Sequence, residues 1–222
     1  MSEDKIRALG YVAIFGGVLN MVADVFILSE PRYTYGRGIK VMEVMPVENV
    51  RIGAVLGLFA LTSWLLILPS LSAGLARAST AERWLEMASF TLFVAASVAF
   101  HSFYWPIAIG IQATMGSESY DLVASDLEGT LVVFQSVIVA SLLVLTISLT
   151  STVFRKCADY PWWILLISPL VTFLTLGNLV DFIPAPYRSY AAAVSATFFS
   201  TIFMVGVVLA RRSTAHAKSQ AS

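Results

Sequence analysis

Long apolar runs separated by short polar stretches dominate the chain from residue 8 to residue 210. A helix needs about 20 apolar residues to cross the hydrocarbon core of a bilayer. The runs therefore predict transmembrane helices at residues 8–28, 50–71, 84–112, 131–154, 162–183 and 190–210. A transmembrane barrel would need polar and apolar residues to alternate at period two, which no run shows. We predict an all-α bundle of about six transmembrane helices, in a single domain over residues 1–222.

Helix-starting and helix-breaking residues support these spans. Ser79 and Glu82 have the spacing of a capping box in front of the third span. Pro69, Pro106 and Pro169 fall inside three spans and predict kinks.

The polar segment at residues 32–43 is expected to be a solvated loop rather than a lid.

Composition agrees with a membrane protein. Hydrophobic residues make up 58% of the 222 residues and charged residues 13%, about half the charged fraction of a soluble domain. The 14 basic and 14 acidic residues cancel, so nothing indicates a nucleic-acid partner. A single cysteine excludes a disulfide framework.

The distribution of Lys and Arg predicts an orientation. With six helices both termini lie on one side, and nine of the 14 basic residues fall there, against five on the other side. Loops rich in Lys and Arg face the cytoplasm. We therefore expect both termini to be cytoplasmic and the protein to lie in a bacterial plasma (inner) membrane.

The polar residues of the spans gather near their outer ends, whereas the inner halves are expected to hold almost only apolar residues, Ser and Thr. The outer set contains Asn20, Asp24, Asn49, Arg51, His101, Tyr104, Asn178, Asp181 and Arg188. A charge at membrane depth costs at least ~2.5 kcal/mol unless it finds a partner. We therefore expect one outward-facing polar pocket that these side chains share.

Within this pocket we assign hypothetical roles. Arg51 is expected to pair with Asp24 or Asp181, with His101 at the floor. Imidazole exchanges protons near neutral pH, so His101 is the candidate general acid or base, with Asp24 and Asp181 as its catalytic partners. The candidate ligand-binding residues are Arg51, Asn20, Asn49, Tyr104, Asn178 and Arg188.

Absent motifs narrow the chemistry. The sequence contains no G-x-S-x-G, no H-E-x-x-H and no P-loop. Its two histidines are too few for the histidine-rich zinc site of helical membrane hydrolases. We therefore predict no metal site and no cofactor.

The chain resembles a family of uncharacterised small polytopic integral membrane proteins of bacteria. The resemblance lies in the runs GGVLNMVADVFILSEP, ENVRIGAVLG, AFHSFYWP and DFIPAPYRSY. The matching positions are Asn20, Asp24, Glu30, Asn49, Arg51, Gly53, His101, Asp181, Pro184 and Pro186. The resemblance implies a membrane-embedded helix bundle and carries no established activity to these positions.

Three functions remain open. The pocket could bind or transport a small solute or a lipid headgroup. Alternatively, the chain could be an intramembrane acid–base enzyme acting on a lipid or isoprenoid-like substrate. In the third interpretation the polar cluster holds together a structural or accessory subunit. The expected partners are the lipid bilayer and a small-molecule or lipid ligand, and the sequence leaves the oligomeric state open.

Overall fold

The computed structural model describes residues 1–28, 38–176, 182–184 and 187–220, and every regular element in these ranges is helical. The α-helices are α1 (Glu3–Leu28), α2 (Val47–Ser63), α3 (Leu68–Gly74), α4 (Thr80–Thr114), α5 (Tyr120–Phe154), α6 (Pro169–Leu176) and α7 (Tyr187–Gln220). Short 3-10 helices span Gly38–Glu43, Trp64–Ile67 and Trp162–Leu165. The prediction of an all-α bundle is confirmed.

Five helices in the described ranges are long and apolar enough to cross a membrane, which indicates a membrane protein. They are Glu3–Leu28, Val47–Gly74, Thr80–Thr114, Tyr120–Phe154 and Tyr187–Ala210. The described part of the span predicted at residues 162–183 is broken. A 3-10 turn is followed by the eight-residue α6, and residues 177–181 lie outside the described residues.

Prolines account for two interruptions of the helices. Pro69 stands in the first turn of α3, directly after the 3-10 segment Trp64–Ile67, and Pro169 is the first residue of α6. Both positions suit proline because it lacks the N–H that would bond one turn earlier. Pro106, in contrast, lies inside the uninterrupted α4.

Helix α1 packs between α2 and α7 and runs antiparallel to both. A Cβ on Gly16 would lie 1.8 Å from the Ser63 hydroxyl oxygen, and one on Gly17 would lie 2.3 Å from that of Thr201. Such close approach of backbones is how helices associate in lipid, where the hydrophobic effect does not drive them together.

The α4–α5 hairpin packs beside this group. The predicted capping box starts α4: Ser79 N–H donates to the Glu82 carboxylate at 3.0 Å, and Glu82 N–H donates to the Ser79 hydroxyl at 3.3 Å. Gly116, with φ of 78°, makes the turn towards α5. At the other end of the hairpin Arg155 forms an ion pair with Glu82.

These contacts define two ends of the bundle. The terminal end contains the start of α1, the α3–α4 connection and the end of α5, where Arg77 pairs with Asp159 at 2.7 Å. The distal end contains the end of α1, the start of α2 and the α4–α5 turn. Each end has its own buried apolar cluster, and the candidate site lies nearer the distal one.

Candidate functional site

A buried carboxylate–imidazole couple lies where α1 and α4 meet. His101 Nε2 donates to Asp24 Oδ1 at 2.7 Å, and the two side chains are 10% and 4% exposed. The sequence placed both residues in one site, and the structure brings them together. In an apolar interior such a pair depends on its hydrogen bonds, because each charge has lost its water.

A third helix, α7, completes the network around Asp24. The Thr197 hydroxyl of α7 donates to Asp24 Oδ2 at 2.5 Å. Asn20, one turn before Asp24 on α1, donates from Nδ2 to the Thr197 hydroxyl oxygen at 2.9 Å and to Asp24 Oδ2 at 3.4 Å. Thr197 was absent from the predicted site, because one hydroxyl in an apolar helix gives no signal until that helix is placed.

The His101 ring lies between two acceptors. Its Nδ1 is 3.2 Å from the carbonyl oxygen of Ser97, on the side away from Asp24. A neutral imidazole donates one hydrogen bond, whereas the imidazolium donates two. The ring can therefore donate to both acceptors at once only in its doubly protonated form.

Close packing fixes the ring in place. Tyr104 contacts it edge-on, with ring centroids 6.0 Å apart. Gly57 of α2 also packs against the ring, where a Cβ would be 2.6 Å from His101 Cδ2. Asn20 Oδ1 is buried at the same place and has no hydrogen-bond partner among the described residues, so the site retains one unused acceptor.

Apolar residues separate the couple from the distal end. The segment Gly38–Glu43, here called the strap, is a 3-10 helix in which Val41 and Met42 are fully buried. Gln112 Nε2 holds this region by donating to the carbonyls of Met42 (2.8 Å) and Met45 (2.7 Å). The expectation of a plain solvated loop is wrong for the strap, and the couple is enclosed rather than open.

Arg51 does not join the couple. It forms an ion pair with Glu48 on its own helix at 2.5 Å, its side chain 49% exposed, and its guanidinium lies 6.0 Å from the centre of the Trp105 ring. Of its two expected partners, Asp24 is therefore wrong, since Asp24 is paired with His101, and Asp181 lies outside the described residues. Arg51 instead lies at the distal end of a groove of about 460 Å³ between α2 and α4.

The other predicted site residues are dispersed. Asn49 is partly buried in the first turn of α2. Arg188, in the first turn of α7, donates from Nε to the Ile183 carbonyl at 2.9 Å. Thr197 comes nine residues after it, so about 13 Å of helix separates Arg188 from the couple. Asn178 and Asp181 lie outside the described residues.

Glu86 corrects the expectation that buried polar groups occupy only the outer halves of the helices. It lies in the second turn of α4, is fully buried and is absent from the predicted site. Ser148 and Thr152 of α5 both donate to its Oε1 at 3.1 Å. The sequence did contain a signal for this site: a carboxylate inside the apolar run WLEMASF, and two hydroxyl residues, Ser148 and Thr152, one turn apart in a later apolar run.

In chemical terms the couple joins an imidazole to a carboxylate by a short hydrogen bond, the arrangement that general acid–base chemistry uses. Among the described residues no group of three or more His, Cys, Asp or Glu side chains is placed to hold a metal ion. The groove presents one cation above an apolar wall, which suits an anionic group attached to a hydrocarbon chain.

Comparison with known proteins gives a family and nothing closer. No curated protein and no solved structure matches the chain. The model of a family of unknown function, DUF6796, matches residues 1–213, which is almost the whole chain. The chain therefore belongs to the family of unknown function DUF6796.

Proposed function

We propose that this chain is an integral membrane protein that binds a lipid with an anionic headgroup in the groove between α2 and α4. One observation carries the proposal: the half-exposed Arg51 guanidinium lies over Trp105 at the distal end of an otherwise apolar groove. Arginine recognises phosphate and carboxylate through a planar fork of donors.

The groove favours a lipid over a water-soluble solute. Besides Arg51 and Trp105 it is lined by Ile52, Val55 and Leu56. Ile52 and Val55 are 38% and 45% exposed, as expected of a surface that faces acyl chains. Glu48 does not block an incoming headgroup, because an exposed ion pair contributes only ~0–1 kcal/mol.

Native mass spectrometry of the purified protein tests this proposal. We expect the wild-type chain to retain an anionic lipid and the Arg51→Ala variant to lose it. Arg77→Ala is the matched control, because Arg77 is also an exposed, ion-paired arginine but lies at the terminal end. Equal lipid retention by Arg51→Ala and the wild type would contradict the proposal.

A second candidate function is acid–base chemistry on the bound lipid. The observation that favours it is the proximity of groove and couple: Trp105 follows His101 by one turn of α4, and Leu56 precedes Gly57, which packs on the His101 ring. In this function His101 is the general acid or base, Asp24 orients its ring, and Arg51 holds the headgroup.

Membrane lipid composition distinguishes the two functions. Expression of an enzyme changes the lipid profile of the host membrane, and His101→Ala abolishes the change at equal protein level. His216→Ala is the control, since His216 is the other histidine of the chain. An unchanged profile argues against catalysis and leaves lipid binding in place. If both tests fail and Asp24→Asn and His101→Ala only lower thermal stability, the cluster is structural.

For orientation we propose that the terminal end faces the cytoplasm of a bacterial cell. The single cysteine, Cys157, lies partly exposed at that end and reports on this directly. A membrane-impermeant maleimide should label it only after permeabilisation. In a Cys157→Ser/Ser117→Cys variant, whose cysteine lies in the exposed α4–α5 turn, intact cells should be labelled. The opposite labelling pattern would show that the terminal end faces away from the cytoplasm and would contradict the proposed orientation.

A further inference from the structure

Glu86 forms a second buried polar site at the terminal end of the bundle. Along α4 it precedes His101 by 15 residues, a distance of about 22 Å at 1.5 Å per residue. Its side chain is enclosed between α4 and α5 with none of its surface exposed. Neither the lipid groove nor the couple makes use of it.

The Glu86 site has one hydrogen-bond donor fewer than its acceptors need. Glu86 Oε1 accepts from Ser148 and Thr152, whereas Oε2 has no partner among the described residues. The Thr152 hydroxyl also lies 3.0 Å from the Leu149 carbonyl oxygen. A hydroxyl has one hydrogen and donates one bond at a time. The site therefore holds more acceptors than hydrogens, and Oε2 is the acceptor left over.

No described cation neutralises the carboxylate. Several charged groups at this end are engaged with other partners: Glu82 with Arg155, Arg77 with Asp159, Arg7 with Asp4, and Arg83 with the Ala76 carbonyl. A carboxylate without a counter-ion is strongly disfavoured away from water, and it is normally neutralised by taking up a proton.

We infer that Glu86, with Ser148 and Thr152, is a proton-binding site in which Oε2 carries the proton and Oε1 is the carbonyl oxygen that accepts both hydroxyls. A proton needs only the unused oxygen. A metal ion needs several oxygen ligands arranged around it. The two hydroxyl oxygens of this site both face Oε1 and leave Oε2 without further ligands, so a proton fits the site better than a metal ion. The site takes up and releases one proton. Because Ser148 and Thr152 belong to α5 and Glu86 to α4, the protonation state of Glu86 affects hydrogen bonds between these two helices.

Infrared difference spectroscopy of the full chain in lipid nanodiscs tests this inference. Lowering the pH from an alkaline value, at which the site has released its proton, should produce the carbonyl stretch of a buried carboxylic acid. The band should be absent from Glu86→Gln and present in Glu82→Gln, a matched control because Glu82 lies one turn earlier and is ion-paired. A band that persists in Glu86→Gln would overturn the inference, and so would a band that responds to replacing Na⁺ by K⁺.

A second variant keeps the test decisive if Glu86→Gln does not fold. Thr152→Val is nearly isosteric and removes one of the two hydroxyls on Oε1. A carbonyl that loses a hydrogen-bond donor stretches at higher frequency, so the band should move to higher wavenumber. Ser151→Ala, next to Thr152 on an exposed face of α5, should leave the band in place. If Thr152→Val leaves the frequency unchanged, the protonated carboxyl is not that of Glu86.

Discussion

Replacing Gly57 by alanine tests whether close helix packing holds the Asp24–His101 couple together. The new Cβ would lie 2.6 Å from His101 Cδ2 and 3.3 Å from Asn20 Oδ1. Non-bonded carbon atoms prefer about 3.5–4.0 Å, so the ring must move by about 1 Å. It has no easy way to do so, because Asp24 holds one side and Tyr104 contacts it edge-on.

Three contributions set the size of the effect. A 1 Å shift would lengthen the 2.7 Å bond between His101 and Asp24 towards about 3.7 Å, outside hydrogen-bond range. Overpacking costs ~1–3 kcal/mol, and losing a hydrogen bond to a charged group costs ~1.5–3 kcal/mol. Alanine returns ~1 kcal/mol through its better helix propensity. The net loss is about 1.5–5 kcal/mol.

Thermal unfolding of the purified protein in detergent measures this loss. For chains of this size 1 kcal/mol corresponds to roughly 2–4 °C, so we expect the Tm of Gly57→Ala to fall by at least roughly 3 °C. Gly129→Ala is the matched control, since no atom lies within 4 Å of the added Cβ, and its Tm should hold or rise.

A double mutant connects the loss to the imidazole. In a His101→Ala background the space next to Gly57 is empty, so adding Gly57→Ala should lower the Tm by much less than it does in the wild type. If Gly57→Ala matches Gly129→Ala, or if its penalty is unchanged without His101, the proposed packing of α2 on the couple is refuted.

Three smaller predictions use the same thermal assay or hydrogen exchange. Thr197→Val keeps the shape of the side chain but removes the 2.5 Å bond to Asp24, and should cost ~1–3 kcal/mol; no loss would mean that α7 does not support the couple. Ser79→Ala removes a helix cap and should cost ~1 kcal/mol, whereas Ser119→Ala, at an N-cap without a side-chain bond, should cost little. Gln112→Ala frees two carbonyls near the strap and should speed amide exchange there, and unchanged exchange would contradict its role as an anchor.

Parts of the site could be predicted from the sequence because burying a charge in lipid is costly. That cost placed Asp24 and His101 in one cluster before any helix was positioned. The same reasoning failed for Arg51, whose long side chain reaches Glu48 and Trp105 at the distal end and so needs no partner in the core. It was not applied to Glu86, whose neighbours are uncharged hydroxyls on α5.

By itself the sequence determined the class of protein, the helical composition and most of the spans, because apolar length and backbone satisfaction in a bilayer leave helices as the solution for such runs. Only the tertiary structure decided which side chains meet. Placing α1 among α2, α4 and α7 brings Asn20, Asp24, His101 and Thr197 together. The tertiary structure also buries Val41 and Met42 of the strap in the distal apolar cluster and leaves Arg51 in a groove. Such contacts depend on the rotation and axial offset of each helix, which apolar periodicity does not specify.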